Sequence, residues 1–238
     1  MSSLVAIPVR NRLDLTRLLV EALLSQAKEG DRLLVYDNGS TDGTREWFAG
    51  KEPGHRRWKS ELVRMEAPGH TLHEMWNHAA SMAVGLGCHL VLLNNDLELD
   101  GEPDWIDRLV QPLGDGWDAL CPNYDNRADW RWVLPLHGVC GAKYDGTGGL
   151  AGFAFAISKH FLKPTGYRFP TEAKWWFGDT DLAFTLEKEG RHYGMVRDVR
   201  VTHVGGGSQT AKDHDLSAQC VADKAWFESK WGALCTTP

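Results

Sequence analysis

The sequence predicts an α/β chain built on a parallel sheet with helices on its faces. Three features predict it. Over about the first hundred positions, short apolar runs alternate with segments of helical period, the pattern of parallel strands joined by crossover helices. The apolar runs stop abruptly on polar residues, most clearly at Leu90-Val91-Leu92-Leu93-Asn94-Asn95-Asp96. No G-x-G-x-x-G follows the first run, which disfavours a dinucleotide fold. Right-handed crossovers carry the strand C-ends to one edge, where open α/β sheets bind ligands.

The first strand, Leu4-Val5-Ala6-Ile7, ends at Pro8-Val9-Arg10. Asn11 then reads as a helix N-cap, with Asp14 near the positive helix end. Leu15, Leu18, Leu19, Ala22 and Leu23 follow at helical spacing, and Gly30 closes the segment. A second strand, residues 33–36, stops on Asp37, and the turn 38–43 leads to a helix capped by Ser40 or Thr41. Residues 61–65 read as a third strand, 71–84 as a helix and 89–93 as a fourth strand.

The second half is less regular. A short helix is expected at 103–110 and a strand at 118–121. Trp130, Trp132 and His137 are expected to line an open face. A glycine-rich lead from Gly148 to Gly152 enters a strand that ends at the helix cap Ser158. Trp175-Trp176-Phe177-Gly178-Asp179-Thr180-Asp181 opens a helix that Gly190 ends. Strands at 193–196 and 199–204, a glycine loop at 205–208 and a helix at 221–231 complete the chain.

At 238 residues the chain is expected to form one domain. A net charge of −6 disfavours nucleic acid as a partner, since a backbone binder would show a basic face. Five Cys without a CxxC pair read as reduced thiols in a cytoplasmic protein, and no apolar stretch is long enough to span a bilayer. His70, His73 and His78 lack the spacing of a helical zinc pair and read as surface or groove residues.

The runs Ile7-Pro8-Val9-Arg10-Asn11-Arg12 and Val35-Tyr36-Asp37-Asn38-Gly39-Ser40-Thr41-Asp42-Gly43-Thr44 resemble the N-terminal signature of family 2 glycosyltransferases. Asn94-Asn95-Asp96 resembles a variant of their DxD metal motif, and Gly178-Asp179-Thr180-Asp181-Leu182 their later acidic motif. Val201-Thr202-His203-Val204-Gly205-Gly206-Gly207-Ser208 resembles their C-terminal histidine motif. The resemblance implies a GT-A fold: a Rossmann-like, mostly parallel sheet flanked by helices, with a smaller antiparallel sheet on the acceptor side. Residues 1–100 would bind the nucleotide sugar and 101–238 the acceptor. The implied activity is inverting transfer from a nucleotide-diphosphate sugar to an acceptor hydroxyl, with Mn²⁺ or Mg²⁺ as cofactor. The acceptor would be a glycan, a lipid-linked molecule or a protein, and a lipid-linked one would require peripheral docking at the membrane.

The resemblance also implies roles. Asp37 would accept the N3–H of uracil or thymine, pointing to a UDP- or dTDP-sugar, because a carboxylate only accepts. Pro8, Val9 and Arg10 would wall the base and ribose, with Asn38, Asn77, Asn94 and Asn95 also on the nucleotide sugar. Asp96 and His203 would ligate the metal, and the imidazole favours Mn²⁺. Asp179 would be the general base. Of the acceptor-side residues Trp175 and Trp176, one is expected to line the acceptor site and the other to be core, and Asp181 to orient the acceptor or cap the following helix. Gly205 to Gly207 would hinge a lid, with Lys212 or Arg10 on the diphosphate. Two positions depart from the family pattern: Asn94 stands where the first DxD carboxylate is expected, and Gly178 where an acidic residue often precedes the base. A nucleotidyltransferase and an inactive sugar-binding module are the alternatives. The first would want a glycine-rich basic loop after the first strand, which Pro8-Val9-Arg10-Asn11 is not.

Overall fold

The structure, a computed structural model, describes residues 2–49, 61–99, 103–124, 133–135, 150–205 and 216–232. Trp130, Trp132, His137, Lys212 and the loop from Gly206 to Ser208 lie outside the described residues.

Strands β1 (Ser3–Val9), β2 (Arg32–Asp37), β3 (Glu61–Glu66) and β4 (His89–Leu93) are parallel, in the spatial order β3-β2-β1-β4. Helix α1 (Leu13–Gln26) joins β1 to β2, α2 (Thr44–Ala49) lies between β2 and β3, and α3 (Leu72–Leu86) lies between β3 and β4. The chain builds outward from β1 and then returns to its other side. The switch point therefore lies between the C-ends of β1 and β4. Pro8 sits in β1 beyond Ala6, the last residue paired with β4. One flank of the strand is open there, which suits a residue without an N–H.

Beyond β4 follow β5 (Leu97–Leu99), α4 (Trp105–Val110), β6 (Ala119–Asn123), β7 (Val133–Pro135) and β8 (Ala154–Ile157). After them come α5 (Lys159–Thr165), α6 (Gly178–Lys188), β9 (Tyr193–His203) and α7 (Leu216–Trp231). β8 runs antiparallel to β4 and β6, β9 runs parallel to β6, and the end of β9 pairs antiparallel with β5. The expected fold class is present, a mixed and mostly parallel sheet flanked by helices.

Side chains alternate across the sheet as strand geometry requires. Leu4, Ala6, Leu34, Leu90 and Leu92 join one core with Ala79 of α3 and Leu182 of α6. Val5, Ile7, Leu33, Val91 and Leu93 join the other with Leu19 of α1 and Trp105 of α4. A capping box at Thr71 and Glu74 starts α3, contributing about 1 kcal/mol.

Four local expectations are corrected. The N-cap of α1 is Arg12, not Asn11; both are left-handed (φ 57° and 60°), and Asp42 Oδ2 accepts the Leu13 N–H at 2.8 Å. Asp42 also caps α2, accepting from Thr44 N–H (3.2 Å) and Oγ1 (2.6 Å), where Ser40 or Thr41 was expected. The expected strands at 193–196 and 199–204 are the single strand β9, whose pairing with β6 jumps from Val196 opposite Pro122 to Arg200 opposite Asn123, so β9 bulges where a break was expected. Helix α7 begins at Leu216 rather than at 221. No described helix is long and apolar enough to cross a membrane, and among the described residues Cys88, Cys121 and Cys220 carry free thiols.

Candidate functional site

At the C-end of β2, Asp37 is only 4% exposed. Its Oδ1 accepts the Ser40 N–H at 2.8 Å and its Oδ2 the Arg64 guanidinium at 3.0 Å. Each oxygen keeps further accepting capacity. Pro8 and Arg10 are half-buried beside it, and buried Val9 pairs with Asp37. The loops after β1 and β2 interlock: Asn11 Oδ1 accepts the Thr41 N–H (2.8 Å), and Ser40 Oγ accepts the Asn11 N–H (2.9 Å). These bonds hold two successive left-handed residues in a conformation that costs non-glycine side chains about 1–2 kcal/mol each.

The amides expected on the nucleotide are engaged by the chain itself. Asn38 donates to His70 O (2.9 Å) and accepts from Gly69 N (2.8 Å). Asn77 donates to Phe169 O (2.9 Å) and accepts from Phe169 N (2.7 Å). Asn95 donates to Thr16 Oγ1 (3.0 Å) and Asn11 O (3.2 Å). Buried amides must be satisfied, so these residues shape the loops instead of reaching past them. Asn94 gives its backbone N–H to Phe153 O at 2.7 Å, and its side chain is half-buried.

The expected metal pair meets. Pairing of β5 with β9 sets Leu97 opposite His203, and Asp96 O accepts the Val204 N–H at 3.0 Å. His203 Nε2 then lies 3.2 Å from Asp96 Oδ1. Two donors about 2.1 Å from an octahedral cation stand about 3 Å apart, so an oxygen and an imidazole nitrogen at this separation fit a divalent metal. Among the described residues no cluster of three or more His, Cys, Asp or Glu forms a closed metal site. The His203 ring stacks on Phe153 (4.2 Å, 18°), which in turn meets Tyr124 edge-on.

Asp179 occupies the first turn of α6, entered through Phe177 at φ 66°. Burial pushes its carboxyl above the usual range, against the N–H groups of Thr180 and Gly152, which favour the charged form. A Cβ at Gly152 would stand 2.5 Å from Asp179 Oδ2, so glycine is required there. Gly178 has a comparable cause. A Cβ on it would stand 2.3 Å from His73 Nε2 and 2.9 Å from Trp76 Cζ3, leaving no space for the acidic side chain usual in the family. His73 is a correction: it is fully buried, with Nδ1 donating to Ala173 O (2.6 Å) and Pro170 O (2.8 Å). Burial holds its imidazole below the ordinary value.

Asp181 is engaged within the chain. It is 1% exposed, and its Oδ1 accepts Lys230 Nζ (2.6 Å) and Trp231 Nε1 (2.7 Å), while its Oδ2 accepts the Tyr167 hydroxyl (3.3 Å). It ties α6 to α7. Trp175 packs against the larger core, and Trp176 is half-buried.

The residues that sequence reasoning missed are Gly152 and Phe153. Gly152 abuts Asp179, and Phe153 stacks on His203 and accepts from Asn94. The available signal was a glycine directly before an aromatic at the mouth of a buried strand.

The chain is similar in fold to known glycosyltransferases. The mannosyltransferase PcManGT from Pyrobaculum calidifontis, solved with GDP-Man and Mn²⁺, superposes with a TM-score of 0.62 at 18% identity, covering 94% of this chain and 63% of that one. GalNAc-T7 with UDP, GalNAc and Mn²⁺ gives 0.63 at 16% identity, covering 85% and 44%. S. aureus TarS 1-349 with UDP gives 0.62 at 14% identity, covering 98% and 72%. The chain thus spans 63% and 44% of the first two proteins. No curated protein matches it. The model of the family described as Glycosyl transferase family 2 matches residues 4–162, and with that match the chain belongs to glycosyl transferase family 2.

Proposed function

We propose that this chain moves a sugar, with inversion, from a UDP- or dTDP-sugar to an acceptor hydroxyl, using Asp179 as general base. The observation that carries this reading is the Gly152-Phe153 pair. One residue abuts the Asp179 carboxylate, and the next stacks on His203, which lies 3.2 Å from Asp96. A single dipeptide thus links a proton acceptor to a metal-binding pair without merging them. Direct metal contact would lower the base's pKa and weaken it.

Asp96 and His203 would hold Mn²⁺, the diphosphate supplying further oxygens; the metal's chemistry is to neutralise the leaving diphosphate. Mn²⁺ also accompanies GDP-Man in PcManGT and UDP in GalNAc-T7, which supports the choice. Asp37 keeps lone pairs for an imide N–H while Arg64 and Ser40 fix its orientation. Asp179 takes the acceptor proton only when ionised. Because burial raises its pKa, turnover should rise with pH through a value above the usual carboxylate range.

A thermal-shift panel of nucleotide sugars with and without Mn²⁺ tests the reading, since a ligand that binds only the native state raises Tm. One donor should stabilise the protein only with the metal, and the same donor should support transfer. A panel with no stabilising donor, or stabilisation indifferent to chelator, would overturn it.

A further inference from the structure

Helix α7 grips the segment carrying Asp179 on both sides of that residue. On the N-terminal side, fully buried Asp223 turns Oδ2 toward three successive backbone N–H groups: Lys174 at 3.1 Å, Trp175 at 2.9 Å and Trp176 at 3.1 Å. Its Oδ1 accepts Gln219 Nε2 at 2.6 Å. Phe227 stacks on Phe177 at 5.1 Å and 22°. On the C-terminal side, Asp181 returns the grip by accepting Lys230 and Trp231 from the same helix, at 2.6 and 2.7 Å. One carboxylate reaches from α7 to the segment and another from the segment to α7. Asp179 lies between them.

We propose that this reciprocal clasp positions the general base, and that Asp223 is its principal positioning residue. The inference rests on Asp179 being that base.

Apolar packing would have been enough to dock the helix. Phe184, Phe227 and Trp231 already form a small core of their own. Two buried carboxylates are a costly way to add stability, because desolvation opposes them; their attested use is geometric specificity. Three N–H groups converging on one oxygen form an anion nest, and they can do so in only one backbone conformation. That conformation leads directly into Phe177, whose φ of 66° survives only where its surroundings over-determine it. Asp223 and Phe227 hold the near side of this bend, and Asp181 the far side. Together they set the direction of the first turn of α6 and so aim the Asp179 carboxylate at Gly152. Burial works to raise the Asp223 carboxyl, but the N–H groups of Trp175 and Trp176 and the Gln219 amide hold it below the usual range.

The test compares wild type, Asp179→Asn, Asp223→Asn and Lys230→Met in a panel of UDP- and dTDP-sugars with Mn²⁺. Nucleotide release is read against pH, and UDP binding by calorimetry. Asp223→Asn should lower kcat about 10- to 100-fold, the range expected for misplacing a reacting group by about 1 Å. UDP affinity should stay within about twofold, and the acid limb of the pH profile should move downward as the Asp179 carboxylate leaves its place against Gly152. Lys230→Met should show the same pattern more weakly, and it decides alone if Asp223→Asn does not fold. The clasp is refuted if wild type turns over and Asp179→Asn does not, yet both clasp variants keep kcat and pH profile. It is equally refuted if kcat and UDP affinity fall together, the mark of general loosening. A wild type inactive on the whole panel, or an active Asp179→Asn, would instead overturn the function proposed above.

Discussion

At the C-ends of β2 and β4, Asp37, Asn38 and Asn95 have their polar atoms engaged by Ser40, Arg64, Gly69, His70 and Thr16. Around β8 and β9, Asp179 lies against a glycine, and His203 lies beside an aromatic ring and Asp96. The first region uses its amide side chains to build loops, so a ligand there would meet backbone edges, the rims of Pro8 and Arg10 and the lone pairs that Asp37 keeps. The second uses glycine and aromatic surfaces to leave reactive atoms in place. Polar residues of the same type at the same sheet edge therefore carry different expectations. Substitution of the engaged amides should alter shape and stability; in the second region it should alter chemistry.

The sharpest break in that contrast comes from Asp179→Asn. It should lower transfer about 10³-fold while donor binding, read by calorimetry, is unchanged; persistent turnover would place the base elsewhere. Gly152→Ala should cost about a hundredfold in kcat, because its Cβ would push the carboxylate aside, and circular dichroism should show the fold intact. Phe153→Leu should weaken Mn²⁺ binding in the presence of UDP about tenfold by freeing the His203 ring, and unchanged metal affinity would count against the bridge.

In the other region, Asn38→Ala strands the Gly69 N–H and the His70 carbonyl. It should lose about 2 kcal/mol in urea unfolding while kcat moves less than threefold. The smallest expected effect is remote from both regions. Burial, then Lys159 and His160, lower the His89 pKa from 6.5 to about 4. The unfolded chain takes the proton first, so stability present above pH 6.5 is lost as pH falls toward 4, by about 1–2 kcal/mol after allowance for screening. Urea titrations at pH 7 and 4.5 would show it.

The parallel half of the fold was legible because each strand is a short apolar run with polar ends, and its crossover helices carry clear periodicity. β9 was misread as two strands because Arg197 and Asp198 interrupt the apolar pattern, although the backbone continues through them. Asp96, His203 and Asp179 stand out in the sequence because they lie at strand or helix ends within distinctive motifs, and the fold brings Asp96 and His203 within 3.2 Å of each other. The engagement of Asp181 does not stand out, since the Lys230 and Trp231 that take up its oxygens lie about 50 positions downstream, beyond any local pattern. The loop-holding bonds of Asn38 and Asn77 escape sequence for a related reason: an amide's partners are backbone groups, and sequence does not mark a backbone group as needing one.

The contact between His73 and Gly178 carries a consequence for how this protein can diverge. An imidazole and a missing side chain fill one volume between α3 and α6, so neither position is free to drift alone. An ancestor or descendant bearing the acidic residue at 178 should bear something smaller at 73. Across a lineage the two sites should change as a linked pair, with intermediates carrying both large side chains rarely surviving.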